Sequence, residues 1–183
     1  MNLVQPIRDK KKIDLMKILL RERSEKYLML FDFGINSGLR ISDILKLKVE
    51  DVEGVDHITV KEKKTGKQKR FLINRKFRKE VETYIRTMKL GSGDYLFPSR
   101  KGENKPISRV QAYRVLSECG KQADIEEVGT HTLRKTFGYW YYQKYHDVAM
   151  LQNIFNHSAP SVTLRYIGIT DEMKDKTLED FYL

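Results

Sequence analysis

The chain has 183 residues, 40% of them hydrophobic, which is enough for one domain with a proper core and excludes a disordered or low-complexity protein. Its single cysteine, Cys119, excludes a disulfide framework; a charged start without a signal peptide, and no apolar run near the ~20 residues that cross a bilayer, point to a cytoplasmic protein. The net charge of +10 is uneven: Lys61–Glu80 holds ten bases and two acids, a density that suits a phosphate backbone or an acidic membrane, whereas Arg165–Leu183 holds three bases and five acids.

In chain order, Ile13–Leu20 is apolar at helical spacing, and Glu25–Ser37 is a stronger helical run between Ser24 as N-cap and Gly38 as stop. A short helix follows, with Ser42 expected as its cap and Ile44, Leu45 and Leu47 facing inward. His57–Lys61 and Gln68–Ile73 are predicted strands, joined by a hairpin turn through Lys63, Lys64, Thr65, Gly66 and Lys67. Arg75–Lys89 is predicted helical, and Tyr95–Pro98 a short extended piece. Three further helices are expected, capped by Ser108, Thr130 and Asp147 and running to about Lys121, Tyr145 and Asn156. Pro160 suits the first turn of a helix carrying Tyr166, and an amphipathic segment closes the chain from about Asp171 to Tyr182. The fold class is therefore mainly α with a small antiparallel β-hairpin.

His131 and Arg134 are three apart on a predicted helix, which places them on one face. A guanidinium presents a planar fork that matches two phosphate oxygens, and an imidazole moves protons near neutral pH. Taken singly, this pair, His157, or one of ten tyrosines means little. In order along the chain, Arg40, Lys64, His131, Arg134, His157 and Tyr166 form a set.

These residues stand in segments that closely resemble the catalytic domain of the tyrosine recombinase (phage integrase) family. The matching stretches are Ser37-Gly38-Leu39-Arg40-Ile41-Ser42-Asp43-Ile44-Leu45, Lys64-Thr65-Gly66-Lys67, Thr130-His131-Thr132-Leu133-Arg134-Lys135-Thr136-Phe137, and His157-Ser158 through Thr163 to Tyr166. The likeness runs from about Pro6 to Asp180. It implies a tyrosine recombinase catalytic-domain fold and an enzyme that cleaves and rejoins double-stranded DNA through a 3′-phosphotyrosyl link, with neither metal nor ATP. Carried onto this chain, it makes Tyr166 the nucleophile, Arg40 and Arg134 the phosphate clamp, and His157 a further donor. A phenol is ionised only about one part in a thousand at pH 7, so His131 is the candidate base, and Lys64 the candidate acid for the leaving oxygen. Lys61, Lys63 and Lys67 crowd the same hairpin as Lys64; with Lys69 and Arg70 they are the expected DNA-binding residues. Asp43 matches an acidic position that braces the family's active site, and also reads as an ordinary first-turn acid.

Two departures stand out. Phe155-Asn156 replaces the usual Leu-Gly before the second histidine, where Asn tolerates the left-handed backbone that Gly would supply. Lys135 replaces a frequent His after the arginine, which puts that position's role in doubt. The chain is read as a single catalytic domain without the family's N-terminal core-binding domain, either an excised fragment or a natural single-domain member. The final segment, with Met173, Leu178, Phe181 and Tyr182 on one side, is expected to join a tetramer on DNA or to fold back on its own domain. Competing readings are a DNA-binding regulator of the same fold without chemistry and a type IB topoisomerase. A metal centre built from His131, His146, His157 and Cys119 lacks the usual ligand spacing.

Overall fold

The computed structural model describes residues 4–61, 68–129 and 131–169, together with residues 173, 175, 178, 179, 181 and 182, and gives Lys69 for its backbone alone. The hairpin turn, with Lys63, Lys64 and Lys67, and the expected cap Thr130 lie outside the described residues. The described elements are α1 (Lys10–Arg23), α2 (Glu25–Ser37), α3 (Ile41–Ile44), β1 (His57–Lys61), β2 (Gln68–Leu72), α4 (Arg75–Met88), α5 (Arg109–Gln122), α6 (Thr132–Tyr145), α7 (Val148–Phe155) and α8 (Pro160–Tyr166). The protein is thus mostly helical with one small antiparallel sheet. No helix among the described residues is long and apolar enough to cross a membrane.

Local sequence signals account for most boundaries. Side chains of Ser24, Ser108 and Asp147 accept hydrogen bonds from Lys26, Gln111 and Met150 backbone N–H groups, satisfying the open donors at the starts of α2, α5 and α7. Pro160 occupies the first turn of α8. The strands pair antiparallel from His57 opposite Leu72 to Lys61 opposite Gln68, with Ile58 turned into the core.

Two capping expectations need correction. Helix α3 begins at Ile41 with Arg40 in the cap position and no side-chain cap, while Ser42 sits inside the helix with its hydroxyl 3.4 Å from Asp43 Oδ1. Left-handed Gly38 ends α2 so close to α3 that only Leu39 and an extended Arg40 separate the two. Similarly, α6 starts at Thr132, and His131 is its cap rather than a helical residue. Thr132 Oγ1 accepts from Gly129 N at 2.9 Å, which closes the turn leading into the helix.

Helix α2 is the hub. It packs against α1, α3, α4, α5 and α6, and Leu30, Phe31 and Phe33 are fully enclosed. Phe33 meets Phe77 and Phe97 edge-on, with centroids 5.2 and 6.1 Å away. A smaller cluster of Leu151, Phe155 and Ile167 lies on the other side of α6, with Phe137 and Tyr166 packed against it. The space between the main core and this satellite holds the candidate site.

Glycines set how closely the elements meet there. A Cβ at Gly34 would stand 2.5 Å from Leu133 Cδ1, so α2 and α6 approach only because that position is bare. At Gly38, with φ +67°, a Cβ would lie 2.6 Å from the Phe137 ring. Gly38→Ala combines overpacking with a left-handed penalty and should cost about 2–4 kcal/mol. Thermal unfolding should then fall by roughly 5–15 °C. An unchanged midpoint would mean that Phe137 gives way and that α6 is not seated on Gly38.

Candidate active site

Three backbone turns deliver the side chains to one place. The left-handed end of α2 projects Arg40, the start of α6 supplies His131 and Arg134, and the α7–α8 junction supplies His157, with Tyr166 one helix later. Asn156 is left-handed, with φ 56° and ψ 48°, so it supplies the turn that Gly usually provides at that point.

His131 and Arg134 divide their roles by depth. His131 is exposed, whereas Arg134 is 4% exposed and points inward. Arg134 Nη1 donates to Gly38 O at 2.6 Å and Nη2 to Phe155 O at 3.0 Å, and the guanidinium lies 4.4 Å from the centroid of the Phe155 ring. One side chain thereby ties the end of α2 to the end of α7. Two of its five N–H groups serve this tie, so the fork is both a structural strut and a charge beside Tyr166. Burial draws its pKa down to about 10, against the opposing pull of Tyr166 and Asp43, and it remains a cation at neutral pH.

Tyr166 is half-buried. Its ring meets those of Phe155 and His157 edge-on at 5.4 and 5.0 Å, and its hydroxyl lies 3.4 Å from His131 Nδ1. Burial raises the phenol above its ordinary value near 10, while Arg134 and Arg40 nearby, and a hydrogen bond with Arg134, pull it back. The imidazole of His131 is shifted downward, first by desolvation and then by the cations Arg134, Lys135, Arg109 and Arg40. A neutral imidazole thus faces a protonated phenol inside a ring of positive charge. Such an arrangement can take up the phenolic proton and stabilise an anion, although 3.4 Å is looser than a proton-transfer contact of ~2.6–3.2 Å.

His157 Nδ1 lies 3.1 Å from Thr163 Oγ1, whose hydroxyl donates onward to Ala159 O at 3.5 Å. Thr163 is fully buried, so the imidazole's orientation is set by the first turns of α8. Arg40 is exposed and Asp43 half-buried, and both line a small cleft with Arg134, Phe155, Val60 and Phe71. That cleft brings the hairpin strands against the site.

Of the expected DNA-binding residues, Lys61 is exposed at the end of β1, and exposed Arg70 places Nη2 3.1 Å from His57 Nδ1. Lys63, Lys64 and Lys67, and the side chain of Lys69, belong to the undescribed part of the hairpin. Lys135, read from sequence only as a departure, proves to be 5% exposed, with its ammonium 5.1 Å from the Tyr166 ring centroid. Arg109, at the start of α5, acts electrostatically on His131, a neighbour that sequence reasoning missed because 22 positions separate the two.

Residues 7–173 match the model of the phage integrase family. The chain belongs to the phage integrase family. Among site-specific recombinases it is 50% identical over 172 residues to the probable integrase/recombinase YoeC of Bacillus subtilis (strain 168), covering 94% of this chain and 93% of that relative. It is 28% identical over 157 residues to the tyrosine recombinase XerA of Pyrococcus furiosus, where it spans 54% of the relative's length. In fold it resembles the crystal structure of a XerA recombinase with a TM-score of 0.76 at 19% identity, covering 96% of this chain and 65% of that one. It also resembles the XerH recombinase on palindromic difH substrate in a post-cleavage complex, with a TM-score of 0.77 at 17% identity, covering 98% and 53%. This integrase-family chain therefore spans about half the length of its Xer relatives.

Proposed function

We propose that this chain cuts and rejoins double-stranded DNA at specific sites, with Tyr166 as nucleophile. The observation that carries the reading is the meeting of the Tyr166 hydroxyl, His131 Nδ1 at 3.4 Å and the buried Arg134 guanidinium, delivered by α6 and α8. A relative named as an integrase/recombinase and a fold neighbour seen on its DNA after cleavage support it.

In this reading Tyr166 Oη attacks the scissile phosphorus while His131 accepts the phenolic proton. The bond from phosphorus to the 5′ oxygen breaks, that oxygen takes a proton from Lys64, and a 3′-phosphotyrosyl link remains. A partner strand's 5′-hydroxyl then attacks the link, returns a proton to Lys64, and releases Tyr166, which recovers its own from His131. One phosphoester replaces another at each step, so bond energy is conserved without metal or ATP. Arg40, Arg134 and His157 hold the charge that develops on the non-bridging oxygens. Asp43 braces Arg40 and Arg134 from the shared cleft. Lys61, Lys63, Lys67, Lys69 and Arg70 seat the hairpin on the phosphate backbone.

The described fold acts as one catalytic domain. Leu178, Phe181 and Tyr182 are 63%, 66% and 96% exposed, and in this reading they dock on a neighbouring protomer in a tetramer assembled on DNA. The reading is tested by incubating the protein with sheared DNA of its source genome, denaturing, and sequencing whatever stays covalently attached. A single recurrent site is expected; DNA retained under native conditions but never covalently would leave a non-catalytic binder of the same fold. Plasmid relaxation without strand transfer would instead indicate a topoisomerase.

The depressed pKa of His131 has a pH consequence. As base it must be neutral, so the acidic limb of the single-turnover cleavage rate should fall below pH 6.5, the ordinary histidine value, and vanish in His131→Asn. Stability runs the same way: as the pH drops below 6.5 the unfolded chain takes a proton that folded His131 refuses, so the fold loses stability until the pH reaches the folded value. A limb above pH 6.5 would assign the base elsewhere.

A further inference from the structure

Lys135 and the chain ahead of α1 have no part in the chemistry above, yet both touch the nucleophile's surroundings. Residues Val4–Asp9 run without regular structure, and α6 grips them along their length. Lys135 Nζ donates to Val4 O at 2.6 Å, Ile7 N donates to Thr136 Oγ1 at 2.9 Å, and Trp140 Nε1 donates to Ile7 O at 2.9 Å. At the far end Arg8 Nη2 donates to Gly168 O at 2.8 Å, and the Arg8 guanidinium lies 5.6 Å from the Tyr139 ring centroid.

Both ends of this strap reach Tyr166. A buried lysine loses solvation and rotamer freedom, so its ammonium needs partners; here they are a strap carbonyl and the face of the Tyr166 ring at 5.1 Å. The bond to Val4 therefore sets where the cation sits under the ring. Gly168 follows Tyr166 by two positions, so the bond from Arg8 fixes the chain as it leaves the nucleophile. A Cβ at Gly168 would stand 2.5 Å from Arg8 Nη2, at a φ of +77°, so a side chain there would push the guanidinium off the carbonyl. One contact acts on the ring and the other on its backbone.

Resting on the reading of Tyr166 as nucleophile, we infer that Lys135 and Arg8 are positioning residues for it. Through the carbonyls of Val4 and Gly168 they tie the strap to α6 and to the chain leaving α8, and hold the Tyr166 ring in its attacking pose. Misplacing a reacting group by about 1 Å costs on the order of 10²-fold in rate. The strap is thus part of the cleaving machinery, although it contributes no group to the reaction.

The test has two arms, both on the full chain. In the first, ring-¹³C-labelled tyrosines are followed by NMR in the DNA-free protein, with the Tyr166 signal identified by its loss in Tyr166→Phe. Arg8→Ala and Lys135→Met should shift or broaden that signal while leaving Tyr84, in the main core, in place. Exposed Arg8 can be changed without opening the core, and Arg8→Lys, which keeps a donor for Gly168 O, should restore the signal. In the second, covalent adduct formation on the site recovered from genomic capture should fall by about 10- to 100-fold in both variants, with DNA retention within twofold. An unmoved Tyr166 signal, or a cleavage loss that merely tracks lost DNA retention or melting temperature, overturns the positioning role. Absence of adduct in the unaltered protein would instead overturn the nucleophile reading, and the NMR arm would still decide whether the strap holds the ring.

Discussion

Tyr166→Phe is expected to abolish covalent attachment to DNA while leaving DNA affinity within about twofold, since a single uncharged hydroxyl adds little to a binding energy dominated by phosphate contacts. The substitution removes one oxygen and leaves the ring packed on Phe155 and His157. The lost hydroxyl faces His131 at 3.4 Å, a long contact, and also bonds the Arg134 guanidinium, so folding should lose about 1–3 kcal/mol. Adduct is scored by denaturing electrophoresis with labelled DNA, and affinity by native retention on the same fragment. Persistent attachment would transfer the nucleophile role to Tyr182, which is 96% exposed, or to the Tyr139–Tyr145 cluster on α6.

Arg134→Ala and Arg40→Ala should both suppress cleavage by roughly 10²–10³ or more, because in the proposed mechanism each supplies a donor to developing charge. Their effects on the fold should diverge. Arg134 is buried and holds Gly38 O and Phe155 O, so its loss leaves two carbonyls without their donor and should cost about 2–5 kcal/mol. Arg40 is exposed, and its loss should leave the melting temperature within about 2 °C. Arg134→Lys sharpens the comparison, because an ammonium keeps the charge but does not bridge two carbonyls as a guanidinium fork does. Equal melting temperatures for Arg40→Ala and Arg134→Ala would refute the strut role of Arg134. Undiminished cleavage in either would remove it from the phosphate clamp.

Much of the fold was legible because its signals are local. Ser24, Ser108 and Asp147 cap helices since a short side-chain oxygen reaches the backbone N–H two or three residues on, whatever surrounds it. The misread caps are instructive for the same reason. Ser42 has the right chemistry, but the compressed link after Gly38 starts α3 two residues too early for it to act. Likewise, His131 is expected from sequence inside α6, whereas the turn closed by Thr132 makes it the cap, exposed while Arg134 is buried, with both reaching Tyr166.

The sequence by itself determined which chemical groups are present and in what order: Arg40, Lys64, His131, Arg134, His157 and Tyr166, with a basic hairpin between the first and third. It also allowed a left-handed turn at Asn156, where the family resemblance led one to expect it, since Asn tolerates that backbone. Only the tertiary structure decided how the groups meet. Arg134 is committed to two carbonyls lying 96 and 21 positions away, and Lys135 reaches a carbonyl 131 positions away before settling beneath Tyr166. Contacts at such separations leave no periodicity to read, because they arise from packing α6 between two cores rather than from any run of neighbouring residues.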